Sequence, residues 1–269
     1  MSSAEPPVST LPRRRLADDL RAAIEGGEVE LRYQPQVAIG SGRIVGVEVL
    51  ARWRHPRLGE LGAERLFAAA ARAGLSPALS QHIQQVALAA VADWRGALAQ
   101  LGIAVNITAS DLGRAGFAGM LLDRLDVLGI APARLTVEIT EHELIGDLAA
   151  AAEVLARLRQ AGVAVALDDF GTGYSGIAYL KSLPIDYLKI DFRLAGDLMG
   201  TPREQVVVRH VIAMARELGL AVIAEGVESD AHRALLAEAG ATHYQGYLCA
   251  PPLESAALTD LLERERCVS

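Results

Sequence analysis

Apolar and polar positions follow two rhythms along this chain. Leu16 to Ile24 has helical spacing and stops at Gly26-Gly27. Val29–Ile39 and Arg43–Leu50 read as strands joined through Gly40-Ser41-Gly42, and so short a connection joins only antiparallel strands. After this hairpin, strand-like runs alternate with alanine- and leucine-rich helical runs. The strands predicted are Ile103–Thr108, Leu135–Thr140, Val163–Asp168, Tyr187–Asp191, Leu220–Glu225 and Thr242–Leu248. Helical runs such as Leu148–Ala161, Arg203–Leu218 and Asp230–Ala239 lie between them, several ending in glycine. Eight strands with alternating helices over about 250 residues predict an α/β chain with a (β/α)8 TIM-like barrel; an open doubly wound sheet is the alternative. No repeat or linker interrupts the pattern, so one domain is expected over 16–265, behind a loose tail over 1–15.

Side chains alternate faces along a strand, which separates these runs into two sets. Val45, Val47 and Val49 oppose Glu48. Ile103, Val105 and Ile107 oppose Asn106, and Leu135, Val137 and Ile139 oppose Glu138. The same holds for Asp168, for Lys189 with Asp191, and for Glu225 in their own strands. The aliphatic face suits packing against helices. The polar face then points into the barrel near the carboxyl ends of the strands, where barrel active sites form. One inward polar group is ordinarily a satisfied core residue; six strands repeating the pattern point to a site.

The stretch Val163 to Ser175 is the centre of that set. An apolar run ends in Asp168-Asp169 and continues into Phe170-Gly171-Thr172-Gly173-Tyr174-Ser175. Adjacent carboxylates repel and lose hydration at a buried strand end, unless a cation lies between them or the turn is solvated. The inward set Glu48, Asn106, Glu138, Asp168, Asp169, Lys189, Asp191 and Glu225 is rich in oxygen, with neither Cys nor an evident His. Such donors suit hard cations, Mg2+ or Mn2+. So many carboxylates make two ions plausible, the arrangement used to cleave phosphodiesters. Lys189 supplies a point charge for a phosphate oxygen or the nucleophile, or else pairs structurally with Asp191.

Composition narrows the picture. Apolar residues make up 51% of 269, enough for a sizeable core, and aromatics only 4%, so that core is aliphatic. A net charge of −7 argues against a DNA or RNA duplex as partner. Two cysteines, Cys249 and Cys267, are too few for a disulfide framework. No apolar run has membrane-spanning length, and Met1 to Pro12 lacks the apolar stretch of a signal peptide. A cytoplasmic setting is expected, with Arg13-Arg14-Arg15 as a solvated charge run.

Several segments together form a recognisable pattern. They are Tyr33-Gln34-Pro35, Glu48-Val49-Leu50-Ala51-Arg52-Trp53 with His55-Pro56, Val105-Asn106-Ile107-Thr108 and Glu138-Ile139-Thr140-Glu141. They continue with Asp168 to Ser175, Leu188-Lys189-Ile190-Asp191, Ala224-Glu225-Gly226-Val227-Glu228 and Gln245-Gly246-Tyr247. Each is weak alone; in this order, from about Leu16 to Leu253, they are specific, and together they resemble the EAL-domain cyclic di-GMP phosphodiesterases.

The resemblance implies a modified barrel whose first strand is antiparallel, and hydrolysis of cyclic di-GMP to linear pGpG with two Mg2+ or Mn2+ ions; calcium is expected to inhibit. By similarity, Glu48, Asn106, Glu138 and Asp168 hold one metal, and Asp168, Asp169 and Glu225 serve the second. Lys189 helps position the attacking water. Glu48, Lys189, Asp169 and Glu225 form the catalytic set. The substrate side is Leu50, Arg52 as a phosphate contact, Gln34 as a guanine contact, Asp191, Glu228 and Gln245. Glu141 anchors the Asp169–Ser175 loop. A homodimer is implied, and an upstream sensory or cyclase domain is common in the family; only about 15 residues precede the first helix here, as in a stand-alone or excised domain. Val49, Gly176 and Pro251 depart mildly from the family pattern, and no expected metal position does. The competing readings are a cyclic di-GMP receptor that binds without cleaving and a regulatory adaptor. Retention of every expected ligand disfavours both.

Overall fold

The computed structural model describes residues 13–144, 147–171 and 176–268. The first twelve residues of the expected tail and Thr172 to Ser175 of the glycine loop lie outside the described residues. In chain order come α1 (Arg13–Gly26), β1 (Val29–Ala38), β2 (Ile44–His55), β3 (Gly59–Leu61), α2 (Ala63–Ala73), α3 (Ser76–Ala92) and β4 (Gly102–Asn106). Then follow α4 (Ala109–Leu112), α5 (Phe117–Val127), β5 (Leu135–Thr140), α6 (Leu148–Gln160), β6 (Ala164–Phe170), α7 (Gly176–Ser182), β7 (Tyr187–Ile190) and α8 (Phe192–Gly196). The chain ends with α9 (Pro202–Glu217), β8 (Ala221–Ala224), α10 (Asp230–Ala239), β9 (His243–Tyr244) and α11 (Ser255–Val268).

The strands run in the order β1-β9-β8-β7-β6-β5-β4-β2, and β1 pairs with β2 to close an eight-stranded barrel. Its neighbours β2 and β9 are both antiparallel to β1, and every other pairing around the barrel is parallel. The expected antiparallel first strand is present, and the open doubly wound alternative is excluded.

The second strand extends beyond the expected Leu50. His55 explains the extension. Its Nδ1 accepts from the backbone N–H groups of Arg57 and Leu58, turning the chain into β3. With Nδ1 accepting, Nε2 carries the hydrogen and donates to Asp19 on α1 at 3.2 Å. A second core of Leu16, Leu20, Trp53, Leu61, Leu66 and Leu79 forms beneath this hairpin. The larger core lies between the barrel wall and its helices and contains Val47, Val49, Ile103, Val105, Val137, Ile139, Val165, Leu167, Leu188, Ile190 and Val222. These are the aliphatic faces that alternation assigns outward. Val45 is the exception: it shares their parity but is exposed.

Candidate active site

Strand parity delivers the polar set to one cavity. Parallel register places Asn106 beside Glu138, and Thr140 beside Asp168, at the carboxyl ends of β4, β5 and β6. Lys189 on β7 is completely buried among the carboxylates. Its Nζ lies 3.2 Å from Glu48, 2.9 Å from Glu138, 3.0 Å from Asp168 and 2.9 Å from Glu225. Asn106 Nδ2 donates to Glu48 Oε1 at 3.3 Å. Gln245 Nε2 donates to Glu48 Oε2 at 2.7 Å and to Glu225 Oε1 at 3.0 Å. One ammonium therefore faces four carboxylates, leaving three formal negative charges without a cationic partner at this point.

Asp169 escapes strict alternation by a bulge. Pairing of β6 with β7 shifts register between Leu167 and Phe170, and Asp169 adopts φ 55°, the one left-handed non-glycine backbone among the described residues. Carboxylate oxygens of Asp168, Asp169 and Glu225 thereby come within 4.8 Å of one another, and those of Glu48, Glu138 and Asp168 form a second such group. These groups share Asp168.

Charge crowding shifts the titrations. Burial works against the Lys189 ammonium, but Asp168, Glu138, Glu225 and Glu48 outweigh it and hold its pKa well above the ordinary lysine value. Burial raises Glu138 strongly, with Glu48 adding repulsion. Glu225 is pushed up to about 8 and Asp169 to about 6, each chiefly by burial, with repulsion from Asp168 added. Asp168 is raised by burial too. Glu48 is the contrary case. Burial pushes its pKa up, but Lys189 and the hydrogen bonds from Gln245, Lys189 and Asn106 lower it overall. Carboxylates driven to hold protons near neutrality are a charge excess seeking cations. Glu138 Oε1 is also buried without a hydrogen-bond partner. The donor set therefore fits hard divalent ions at both groups.

The remaining sequence candidates surround this centre. Glu141 is buried on a short 3-10 turn after β5, and its Oε1 accepts from Gly171 N at 3.1 Å. Asp191 caps α8, accepting from Arg193 N at 2.9 Å. Its carboxylate is not the partner of Lys189, so the structural pair considered from sequence is replaced by the four-carboxylate cluster. Gln34 is buried on β1, and its amide nitrogen is already engaged by Ala250 O at 2.6 Å, which holds the segment leading into Pro251. Leu50 and Arg52 are half-buried on β2, and Arg52 Nη1 donates to Ala51 O. Burial lowers the Arg52 pKa somewhat against the attraction of Glu60. Glu228 is exposed on the loop after Glu225. Gly176 opens α7.

Two supporting groups escaped the sequence reading. Asp111 on α4 is buried and accepts from Ser80 Oγ at 2.6 Å, Gln84 Nε2 at 3.1 Å and Thr108 N at 3.0 Å, fixing the turn that follows Asn106. Gln36 Nε2 donates to Gln245 Oε1 at 3.3 Å, orienting the amide toward the carboxylates. Gln36 shares the parity of Gln34, a signal legible on β1; Asp111 depends on helix packing and left none.

Comparison with known proteins agrees with this arrangement. The profile of the EAL domain matches residues 17–252. The chain is 38% identical over 253 residues to the Pseudomonas aeruginosa protein named cyclic di-GMP phosphodiesterase NbdA, covering 94% of this chain and 32% of that protein. It is 38% identical over 262 residues to the same organism's cyclic di-GMP phosphodiesterase PA2567, covering 96% of this chain and 45% of that one. The chain thus spans less than half the length of these curated relatives. The solved PaMucR phosphodiesterase in complex with c-di-GMP superposes with a TM-score of 0.83 at 34% identity, covering 91% of this chain and 99% of that one.

Proposed function

The chain belongs to the EAL-domain family, and on that premise we propose that it is a phosphodiesterase hydrolysing cyclic di-GMP to linear pGpG. The observation that carries the reading is the position of Lys189 Nζ, 2.9–3.2 Å from Glu48, Glu138, Asp168 and Glu225 at the barrel mouth. Mg2+ or Mn2+ ions, held by Glu48, Asn106, Glu138 and Asp168 at one position and Asp168, Asp169 and Glu225 at the other, would supply Lewis acidity and lower the pKa of water.

The chain's own groups have separable tasks in this reading. Lys189 keeps its proton, because four carboxylates hold it charged, and offers N–H donors to the attacking oxygen or the phosphate. Gln245 clamps Glu48 and Glu225 in fixed rotamers from the side of β9. Arg52, on the strand face of Glu48, would contact a phosphate, with Leu50 and Glu228 also on the substrate side. Gln34 has one amide N–H bound to Ala250 O, which leaves its carbonyl oxygen and its second N–H for a base. Asp191 acts through the cap of α8. A homodimer, inhibition by calcium and a cytoplasmic setting accompany the reading as family expectations. No helix among the described residues is long and apolar enough to cross a membrane.

The test is turnover of cyclic di-GMP by the purified chain with Mg2+ or Mn2+, following pGpG by chromatography, with EDTA and Glu48→Ala as controls. Metal-dependent pGpG supports the enzyme. Binding of cyclic di-GMP without product in either metal overturns it in favour of a receptor.

A further inference from the structure

Resting on that reading of the site, we infer that Phe192, backed by Arg193, is a stacking platform for one nucleobase of the substrate and so a specificity-determining residue. Aromatic residues are scarce in this chain. Among the described residues, two large aromatic side chains are exposed: Phe192 at 54% and Tyr247 at 68%. Both follow barrel strands at the carboxyl-end rim, after β7 and after β9, on either side of the strand leading to Glu225. Tyr247 lies within electrostatic reach of Arg52 on the far side of the mouth.

Phe192 stands beside the reacting groups. It comes three residues after Lys189 and packs against Gly226, the residue after Glu225. A Cβ on Gly226 would collide with the Cβ of Phe192. The ring is also held in place. Asp191 caps the helix that Phe192 begins, and His232 Nε2 bonds Ala195 O at 2.8 Å, tying α8 to α10. The Arg193 guanidinium carbon lies 5.4 Å from the ring centroid, a cation–π contact that orients the ring.

A flat, fixed ring with more than half its surface open suits another flat ring. Base–aromatic stacking is the common means by which proteins grip unpaired bases. Arg193 adds the one feature a bare ring lacks, a positive charge against its face. A guanine stacks on the face opposite the guanidinium, with the ring held between base and charge.

The experiment measures steady-state kinetics on cyclic di-GMP for the whole chain and for Phe192→Ala and Phe192→Tyr. A second readout is the tryptophan emission of Phe192→Trp during titration with cyclic di-GMP in Ca2+. Loss of one stack is expected to raise KM about tenfold in Phe192→Ala with kcat within about twofold, and Phe192→Tyr should restore KM. Emission of Phe192→Trp should fall as guanine stacks, on top of a constant signal from buried Trp53 and Trp94. An unchanged KM in Phe192→Ala, or a loss confined to kcat, overturns the inference while the wild-type activity keeps the phosphodiesterase reading standing. A change in sedimentation with KM unaltered assigns the ring to a subunit contact and likewise overturns it. A wild-type chain that neither binds nor cleaves cyclic di-GMP overturns the functional reading itself, and the platform with it.

Discussion

Glu141 Oε1 accepts a hydrogen bond from Gly171 N at 3.1 Å, joining the turn after β5 to the first residue beyond β6. Gly171 needs φ +105°, and a Cβ there would press on Leu194 of α8, so the backbone can reach this position only as glycine. The bond lies two residues from Asp169, whose left-handed backbone holds its carboxylate beside Asp168. Removing the acceptor frees the backbone that orients both. Glu141→Ala is expected to lower kcat about 10–100-fold, the scale of a misplaced catalytic group, while no expected metal ligand is altered. Circular dichroism should match wild type. Wild-type kcat in this variant would remove Glu141 from the mechanism.

Lys189→Met tests the charge balance. It deletes the sole ammonium among four carboxylates and leaves an apolar stem of similar length. Breaking a buried ion pair from one side costs roughly 3–5 kcal/mol, so the melting temperature in EDTA should fall by several degrees. Part of this loss should return on adding Mn2+. Turnover should stay about 100-fold or more below wild type even with saturating metal, because the N–H donors are gone. Recovery of full activity with Mn2+ would show that the lysine serves stability alone.

Much of the site was legible because period-two alternation is a property of each strand, readable without its neighbours. Glu48, Asn106, Glu138, Asp168, Lys189 and Glu225 all announce their face by the aliphatic residues on either side. What alternation could not convey is how neighbouring strands interact. The β6 bulge that turns Asp169 inward depends on pairing with β7, and the Lys189 cluster depends on four strands meeting. Nor could alternation convey the cap: Asp191 shares parity with Lys189 but sits where the strand gives way to a helix, and its carboxylate caps that helix. The β3 hairpin was hidden because three residues carry too little periodicity, although His55-Pro56 and Gly59 mark its turn. The aromatic pair at the rim had no periodic signature; exposure alone reveals it.

Gly246→Ala is expected to couple stability to turnover. Gly246 adopts φ +154°, and a Cβ there would collide with the backbone of Val227. Val227 N donates to Gln245 O at 3.1 Å, so the two loops after β8 and β9 pack as a unit. Strain of roughly 1–3 kcal/mol should appear in thermal melts. Displacement of Gln245 should also release its grip on Glu48 and Glu225 and lower kcat. A loss of stability with kcat intact would mean that the Gln245 clamp is dispensable.

Titration of the acidic centre gives the last expectation, and its sign follows from the raised carboxylates. Glu225 at about 8 and Asp169 at about 6 keep protons in the folded protein that an unfolded chain releases near pH 4. Between those limits the folded state binds more protons than the unfolded state, so metal-free stability falls as pH rises from about 4 through about 8. Divalent ions bind the deprotonated carboxylates, so their affinity rises over the same window. Melting temperatures in EDTA should decline from pH 5 to pH 8, those in excess Mg2+ should decline less or rise, and the gap between the two series should widen with pH. Glu225→Gln removes the group titrating highest and should flatten the EDTA series most strongly above pH 6. A gap that stays constant across the range would mean that proton release from Glu225 and Asp169 does not accompany metal binding, and would separate the cation sites from the acidic cluster at the barrel mouth.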